Sequence, residues 1–398
     1  MGLAQGRGYL AIPGPSVVPD AVQRAMHRAA PNIYQGELVE MMDGLITDLR
    51  DVAQSTGHVA IYIANGHGAW EASLANILAP GDRVLVPATG LFGLGWGRHA
   101  EAMGAAVDWL DFGNSATVDP DRIEATLRAD PEHRIKAVLA THVDTSSSVR
   151  NDIAAIRAAI DAAGHPALLM ADCIASLGCE RFEMDDWGVD VMVSASQKGL
   201  MMPPGLGLVW FNDRAAAVQA RLDRVSPYWN WTSRAAPEAF YQYFGGTAPT
   251  HHLYGMRAAL DLIRAEGLGR VWDRHARLAR AIWAAADRWG SEGAMRLNIT
   301  DPALRSHAVT SLSLTSPDAT RLRGWTEEVA GVTLGIGLGM AEQGTPEADG
   351  YFRIGHMGHV NAHMVLGALG AIEAGLAALD IPHGSGGVSA AAAALAAG

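Results

Sequence analysis

Short, continuous apolar runs recur through the first half of the chain: Val59–Ile63, Val84–Val86, Ala137–Ala140, Ala167–Met170, Val191–Val193 and Leu206–Trp210. Small or polar residues follow most of them. Between them lie segments with helical spacing of apolar positions, such as Ala69–Leu78, Asp121–Leu127, Ile153–Ala163 and Asp213–Leu222. A strand buried on both faces reads as an unbroken apolar run, and alternation of such strands with helices marks a mostly parallel sheet. The pattern therefore predicts an α/β fold with helices on both faces of the sheet. In such sheets ligands bind beyond the carboxyl ends of the strands. The residues just after each run are the ones to inspect.

Beyond Pro249 the texture changes. His252–Ala265 and Val271–Trp289 read as two long helices, followed by an α+β stretch with strands near Val309–Leu314 and Phe352–Gly355. The predicted division is an extended arm over 1–15, a large domain over 16–260, a smaller C-terminal α+β domain over 261–384 and a low-complexity tail over 385–398. The Ala/Gly content of that tail reads as a frayed end.

Composition narrows the function. The chain has 398 residues, 49% of them hydrophobic and 18% charged, and a formal net charge of −12. An acidic chain without basic runs disfavours nucleic acid and anionic membrane as partners. Its two cysteines, Cys173 and Cys179, make no disulfide framework, so a reducing cytoplasm is the expected compartment. No basic, apolar leader opens the chain and no stretch reads as a membrane span. His142, His251, His252 and His356 show no zinc-ligand spacing, and no metal is expected.

The basic residues are unequally chosen. Only Lys136 and Lys198 are lysines; arginine supplies the other 28. A chain that favours arginine so strongly retains lysine where a guanidinium fails. Only an amine that can lose its proton forms an imine with an aldehyde. Lys136 precedes an apolar run, where a solvated charge suffices. Lys198 lies in Ser194-Ala-Ser-Gln-Lys-Gly199, just past a run, at the site-bearing end.

Two further features sit at that end. Asp172 follows the run Ala167–Met170, where a carboxylate can pair with a pyridinium nitrogen. Alone it is also an ordinary strand-end cap. Ala64-Asn-Gly-His-Gly-Ala69 joins a run to a helix, and small residues at such a turn admit a phosphate to the helix N-terminus. It matches neither the P-loop nor the dinucleotide fingerprint. Together the three features point to a pyridoxal-phosphate enzyme with the cofactor held on Lys198.

With these pieces the sequence resembles the class V aminotransferases of pyridoxal-phosphate fold type I, most of all the alanine–glyoxylate and serine–glyoxylate enzymes. The likeness rests on Ile12-Pro-Gly-Pro-Ser16, Asn65-Gly-His-Gly-Ala-Trp-Glu71, Ala140-Thr-His-Val-Asp-Thr-Ser146, Asp172-Cys-Ile-Ala-Ser176, Ser194-Ala-Ser-Gln-Lys198 with Pro203-Pro-Gly205, Thr247-Ala-Pro249 and Phe352-Arg-Ile-Gly355. It implies Lys198 as imine lysine and proton shuttle, with Asp172 on the ring nitrogen. It implies Asn65, Gly66, His67 and Gln197 around the phosphate, and Phe92 stacked on the ring. Thr145 or Ser146 would lie by the ring oxygen. Thr247 would reach the phosphate of a neighbouring subunit in a homodimer, and Arg353 would grip the substrate's α-carboxylate as a bidentate fork. The implied reaction moves an amino group from serine, alanine or aspartate to a small 2-oxo acid such as glyoxylate.

Departures from the family pattern are Phe92 where the alanine–glyoxylate enzymes carry Trp, Phe244 where a phosphate-binding Tyr often stands, Asp144 where Glu is usual, and Ser148 for Gly. A lyase or desulfurase on the same fold is the main alternative, and a desulfurase needs a nucleophilic cysteine on a mobile loop. A binding protein that kept the fold is the other. The aromatic loop Tyr228-Trp-Asn-Trp231 either lines the substrate mouth or packs against a partner.

Overall fold

The structure, a computed structural model, describes residues 3–397. Among these, twelve strands follow in chain order: β1 (Tyr9–Ala11), β2 (His58–Ala64), β3 (Arg83–Ala88), β4 (Ala106–Asp111), β5 (Ile135–Thr141), β6 (Leu168–Asp172), β7 (Val191–Ala195), β8 (Gly205–Phe211), β9 (Arg296–Leu297), β10 (Val309–Ser313), β11 (Val332–Ile336) and β12 (Tyr351–Gly355). They form a seven-stranded sheet in the order β2-β8-β7-β6-β5-β3-β4 and a five-stranded sheet in the order β1-β11-β12-β10-β9.

All six apolar runs lie in the large sheet. Its strands are parallel except β8, which runs against both β2 and β7. Apolar content carries no direction, so the reversal was invisible in the pattern. Its cause is the short β7–β8 connection. A parallel return needs a long crossover, whereas an antiparallel one needs only a tight loop. That loop, 196–204, carries Lys198 at the carboxyl end of β7.

Helices 66–75 and 91–102 cover one face of the sheet, burying Trp70 and Trp96. Helices 42–53, 120–128 and 153–162 cover the other, with Leu49, Ile123 and Ile156 in the core. After β3 the chain steps outward to β4 and then crosses back to β5. Such a reversal opens a crevice at the strands' carboxyl ends. Edge strand β4 is mostly half-buried, and its mixed sequence gave no apolar run.

The second sheet packs against helices 268–290, 318–330, 362–378 and 387–396. The arm contributes β1, which pairs in parallel with β11 through Tyr9–Val332 and Ala11–Leu334. Helix 268–290 spans both cores, with Val271 in the first and Leu278 onward in the second.

The C-terminal segment corrects the sequence-based expectation. Instead of a frayed end, Gly387–Ala396 is a helix with Ala391 fully buried. Alanine has the highest helix propensity, and its small side chain lets two helices approach closely. Gly387 lies against the indole of Trp289, where a Cβ would collide with Nε1. Glu373 joins the pieces, accepting hydrogen bonds from Trp289 Nε1 at 2.8 Å and from the Val388 N–H at 2.9 Å. Among the described residues no helix is long and apolar enough to cross a membrane.

Candidate active site

The β7–β8 loop, the end of β6 and the turn after β2 enclose a cavity of about 210 Å³ lined by Lys198, Asp172, Gly66, His67, Phe92 and Thr145, together with Gln197. A larger groove of about 760 Å³ lies between the arm and helix 362–378. Size does not make it the reactive site, because its rim pair, Arg7 and Asp20, is solvent-exposed and mutually paired.

Lys198 is half-buried, and its Nζ donates to the Pro13 carbonyl of the arm. Burial, reinforced by the charge of Arg353, lowers its pKa to about 8. Near neutral pH a useful fraction of the amine is therefore free of its proton. Gly14 lies so close that a Cβ there would meet Nζ. The Ile12–Ser16 segment is locked over the lysine by Ser16, whose N–H donates to the Gln197 carbonyl at 2.9 Å and whose Oγ donates to the Lys198 carbonyl at 2.7 Å.

Asp172 is 3% exposed. Its Oδ2 accepts from Trp70 Nε1 at 3.0 Å and its Oδ1 from the Ile174 N–H at 2.8 Å. Burial pushes its pKa up to about 7. A buried carboxylate held only by neutral donors favours a cationic partner, because a nearby positive charge restores its ionised form.

At the turn after β2, Asn65 caps helix 66–75, its Oδ1 accepting from the N–H groups of His67 at 3.1 Å and Gly68 at 3.3 Å. Asn65 thus shapes the turn, while Gly66 and the His67 ring line the cavity. A Cβ on Gly66 would lie 2.6 Å from Ile174 Cδ1, so a larger residue there would have to displace the end of that side chain. Among the described residues Gln197 Oε1, which is buried, has no hydrogen-bond partner. Burial lowers the pKa of His67.

Phe92 lines the cavity with its ring 6.4 Å from that of Trp70, at 64°. Thr145 and Ser146 part company. Thr145 faces the cavity, whereas Ser146 Oγ donates to Asp144 Oδ1 at 2.5 Å and accepts from the Leu91 N–H at 3.0 Å. Arg353 is nearly buried; its Nε donates to the Ile336 carbonyl and its Nη1 to the Thr145 carbonyl, both at 2.7 Å. Among the described residues Nη2 has no hydrogen-bond partner. Burial lowers the pKa of Arg353 to about 10, so the guanidinium stays charged at neutral pH. Thr247 is exposed and does not line the cavity of its own chain.

Three contributors escaped the sequence. Trp70 donates to Asp172, but an aromatic on a helix reads first as core. Pro13 acts through its carbonyl, which no side-chain pattern reveals. Asp144 showed only as a departure from the family's Glu, yet it accepts four hydrogen bonds at this site. The aromatic loop packs largely on its own chain. Trp231 is buried and stacks on Phe211 at 4.1 Å, and the Trp229 carbonyl accepts from Tyr62 Oη at 2.8 Å.

Residues 20–338 match the family described as Aminotransferase class-V. The chain belongs to this family. It is 36% identical over 382 residues to the serine–glyoxylate aminotransferase of Methylorubrum extorquens, covering 93% of this chain and 91% of that protein. It is 35% identical over 377 residues to the L-aspartate–glyoxylate aminotransferase of Paracoccus denitrificans, with the same coverage of 93% and 91%. Among solved structures it is similar to ureidoglycine–glyoxylate aminotransferase of Bacillus subtilis, with a TM-score of 0.87 and 25% identity over 98% of this chain and 99% of that one.

The class-V aminotransferase works with pyridoxal 5′-phosphate, and the residues present fit that group. An aldehyde requires an amine of lowered pKa, a protonated ring nitrogen requires a buried carboxylate, and a phosphate suits the start of helix 66–75, where Gly66 and His67 line the cavity. Cys173 and Cys179 are fully buried; burial raises the first thiol well above its usual value and the second to about 12. Neither supplies the thiolate a desulfurase needs.

Proposed function

We propose that this aminotransferase carries the amino group of a small amino acid, serine, alanine or aspartate, to glyoxylate in two half-reactions, with the first keto acid leaving before the second enters. The names of the relatives motivate the substrates. The observation that carries the chemistry is one cavity in which an amine with a pKa of about 8, Lys198, lies with a buried carboxylate, Asp172.

Bound pyridoxal phosphate supplies the electron sink for the substrate's α-carbon. Gly66 and His67, with Gln197 through its amide N–H₂, would hold its phosphate at the start of helix 66–75, where the helix dipole favours negative charge. Asp172 would keep a proton on the ring nitrogen. Phe92 would cover the ring, and Thr145 would lie by its oxygen. Arg353 orients the substrate through its α-carboxylate. Two carbonyls fix the guanidinium and leave Nη2 for that purpose. Lys198 Nζ, once free of its proton, takes the α-proton as general base. The Pro13 carbonyl offers the amine an acceptor. Val143, Ile174 and Ala175 form an apolar wall that limits water.

In the same reading the enzyme is a cytoplasmic homodimer, and Thr247 reaches the phosphate bound by the neighbouring subunit. The chain divides into an arm (1–15), a cofactor-binding unit (16–260) and a smaller unit (261–384), which helix 387–396 completes. Mass in solution tests the dimer. Absorbance of the cofactor-loaded protein tests the reaction. Serine, alanine or aspartate is expected to bleach the visible band, and glyoxylate to restore it. A band that no amino acid bleaches would overturn the proposal.

A further inference from the structure

The first N–H groups of any α-helix lack partners within the helix. In helix 91–102, two side chains from the loop after β5 take those of its first three residues. Ser146 Oγ accepts from Leu91, while Asp144 Oδ2 accepts from Phe92 at 2.9 Å and Gly93 at 3.0 Å. Asp144 Oδ1 accepts from the N–H of Ser146 at 2.9 Å and from its Oγ at 2.5 Å. Both oxygens are thus doubly occupied in a residue with no exposed surface. The fit is tight on the remaining side too. A Cβ on Gly90 would lie 2.5 Å from the Asp144 carboxylate.

The same loop reaches the substrate side. Thr145, between the two capping residues, gives its carbonyl to Arg353 Nη1 at 2.7 Å. One carboxylate therefore anchors both the helix start that carries Phe92 and the peptide that holds Arg353. We propose that Asp144 is a positioning residue that sets the Phe92 ring and the Arg353 guanidinium in register with each other, and so sets the cofactor against the substrate's carboxylate. This rests on the roles given above to Phe92 and Arg353. An ordinary helix cap would stabilise the helix whatever side chains it bore. A positioning carboxylate must also act on the cofactor and on substrate affinity.

Asp144→Asn and Gly90→Ala disturb the anchor in different ways. The first places an N–H₂ against N–H donors, and the second pushes the intact carboxylate away. Full-length protein of each variant is to be compared with wild type in three readouts: hydrogen exchange of the cofactor-free protein, the dissociation constant and absorbance of added pyridoxal phosphate, and kcat and KM for the best amino donor. Both variants are expected to exchange faster over 90–93 and 144–146, and to bind the cofactor about 10-fold more weakly with a shifted visible band. At saturating cofactor kcat/KM is expected to fall by about 10- to 100-fold, on the scale of roughly 1 Å of misplacement, with KM raised. Variants that melt earlier yet keep the cofactor constant, the band and the KM would overturn the inference and leave Asp144 a cap. A wild type that binds no pyridoxal phosphate would instead sink the functional reading, and this inference with it.

Discussion

Two aspartates, one at each end of the large sheet, are almost equally buried, at 1% and 3% exposed. At the amino end, Asp190 accepts from Arg214 Nη1 at 2.9 Å, the Leu169 N–H at 2.8 Å and Asn212 Nδ2 at 3.0 Å, with Arg157 at 3.8 Å. At the carboxyl end, Asp172 receives only the neutral N–H groups of Trp70 and Ile174. The two lysines divide in the same way. Lys136, at the amino end of β5, is exposed and donates to the His133 carbonyl at 3.3 Å. Lys198, beyond β7, has its pKa lowered to about 8. The same residue types serve structure where their charges are met and chemistry where they are not.

The sharpest way to break this contrast is Lys198→Ala. Removing the amine is expected to lower transamination by about 10⁴-fold, the upper range for a positioned base, and single-turnover bleaching with the best donor measures it. Asp172→Asn removes the carboxylate proposed to meet the ring nitrogen, and a loss of roughly 10²- to 10³-fold in kcat is expected, the range for one lost electrostatic contact. Asp172 also has a signature in the cofactor-free protein. Its folded pKa, about 7, lies above the usual carboxylate value of 3.8. The folded state therefore keeps a proton that the unfolded chain releases. The stability this proton contributes is full below the unfolded value and is lost as pH rises toward 7. Melting temperature against pH checks that slope, which Asp172→Asn should flatten.

Covalent capture of pyridoxal phosphate by the cofactor-free protein sharpens the comparison for Lys198. Only the free amine attacks, so the rate should climb about tenfold per pH unit below 8 and level off above it. Stopped-flow absorbance would show this, and a midpoint near the ordinary lysine value of 10.5 would deny the lowered pKa. At the opposite end, Asp190→Asn is expected to cost about 1–2 kcal/mol while leaving kcat unchanged. The figure lies below the roughly 3–5 kcal/mol of a fully buried pair because Arg214 is 43% exposed and water partly replaces its partner. Urea melts of the cofactor-loaded enzyme give that value. The smallest change is Lys136→Arg, expected to shift stability by less than about 0.5 kcal/mol and activity not at all.

Much of the fold was legible because buried parallel strands announce themselves as apolar runs, and all six lie in the large sheet. Strand direction was not, since β8 looks like its neighbours and only the shortness of loop 196–204 reverses it. β4 escaped because an edge strand need not be apolar. The C-terminal helix is not legible because an Ala/Gly-rich end offers no amphipathic pattern, and packing on Trp289 orders it. At the site, Lys198 stood out through the scarcity of lysine and Asp172 through its place at a strand end. The sequence left Thr145 and Ser146 equivalent. The structure separates them, because the Ser146 hydroxyl is committed to Asp144 and Leu91.

The helix Gly387–Ala396 has a practical consequence for handling the protein. An alanine-rich end looks expendable, and trimming at Gly384 would be a natural choice for a shortened version. The cut would strip the cover from Trp289, take away the Val388 N–H that Glu373 accepts, and leave the apolar side of helix 268–290 facing solvent. Such a truncated protein is expected to aggregate during expression. A purification tag is better joined after the last turn of this helix than in place of it.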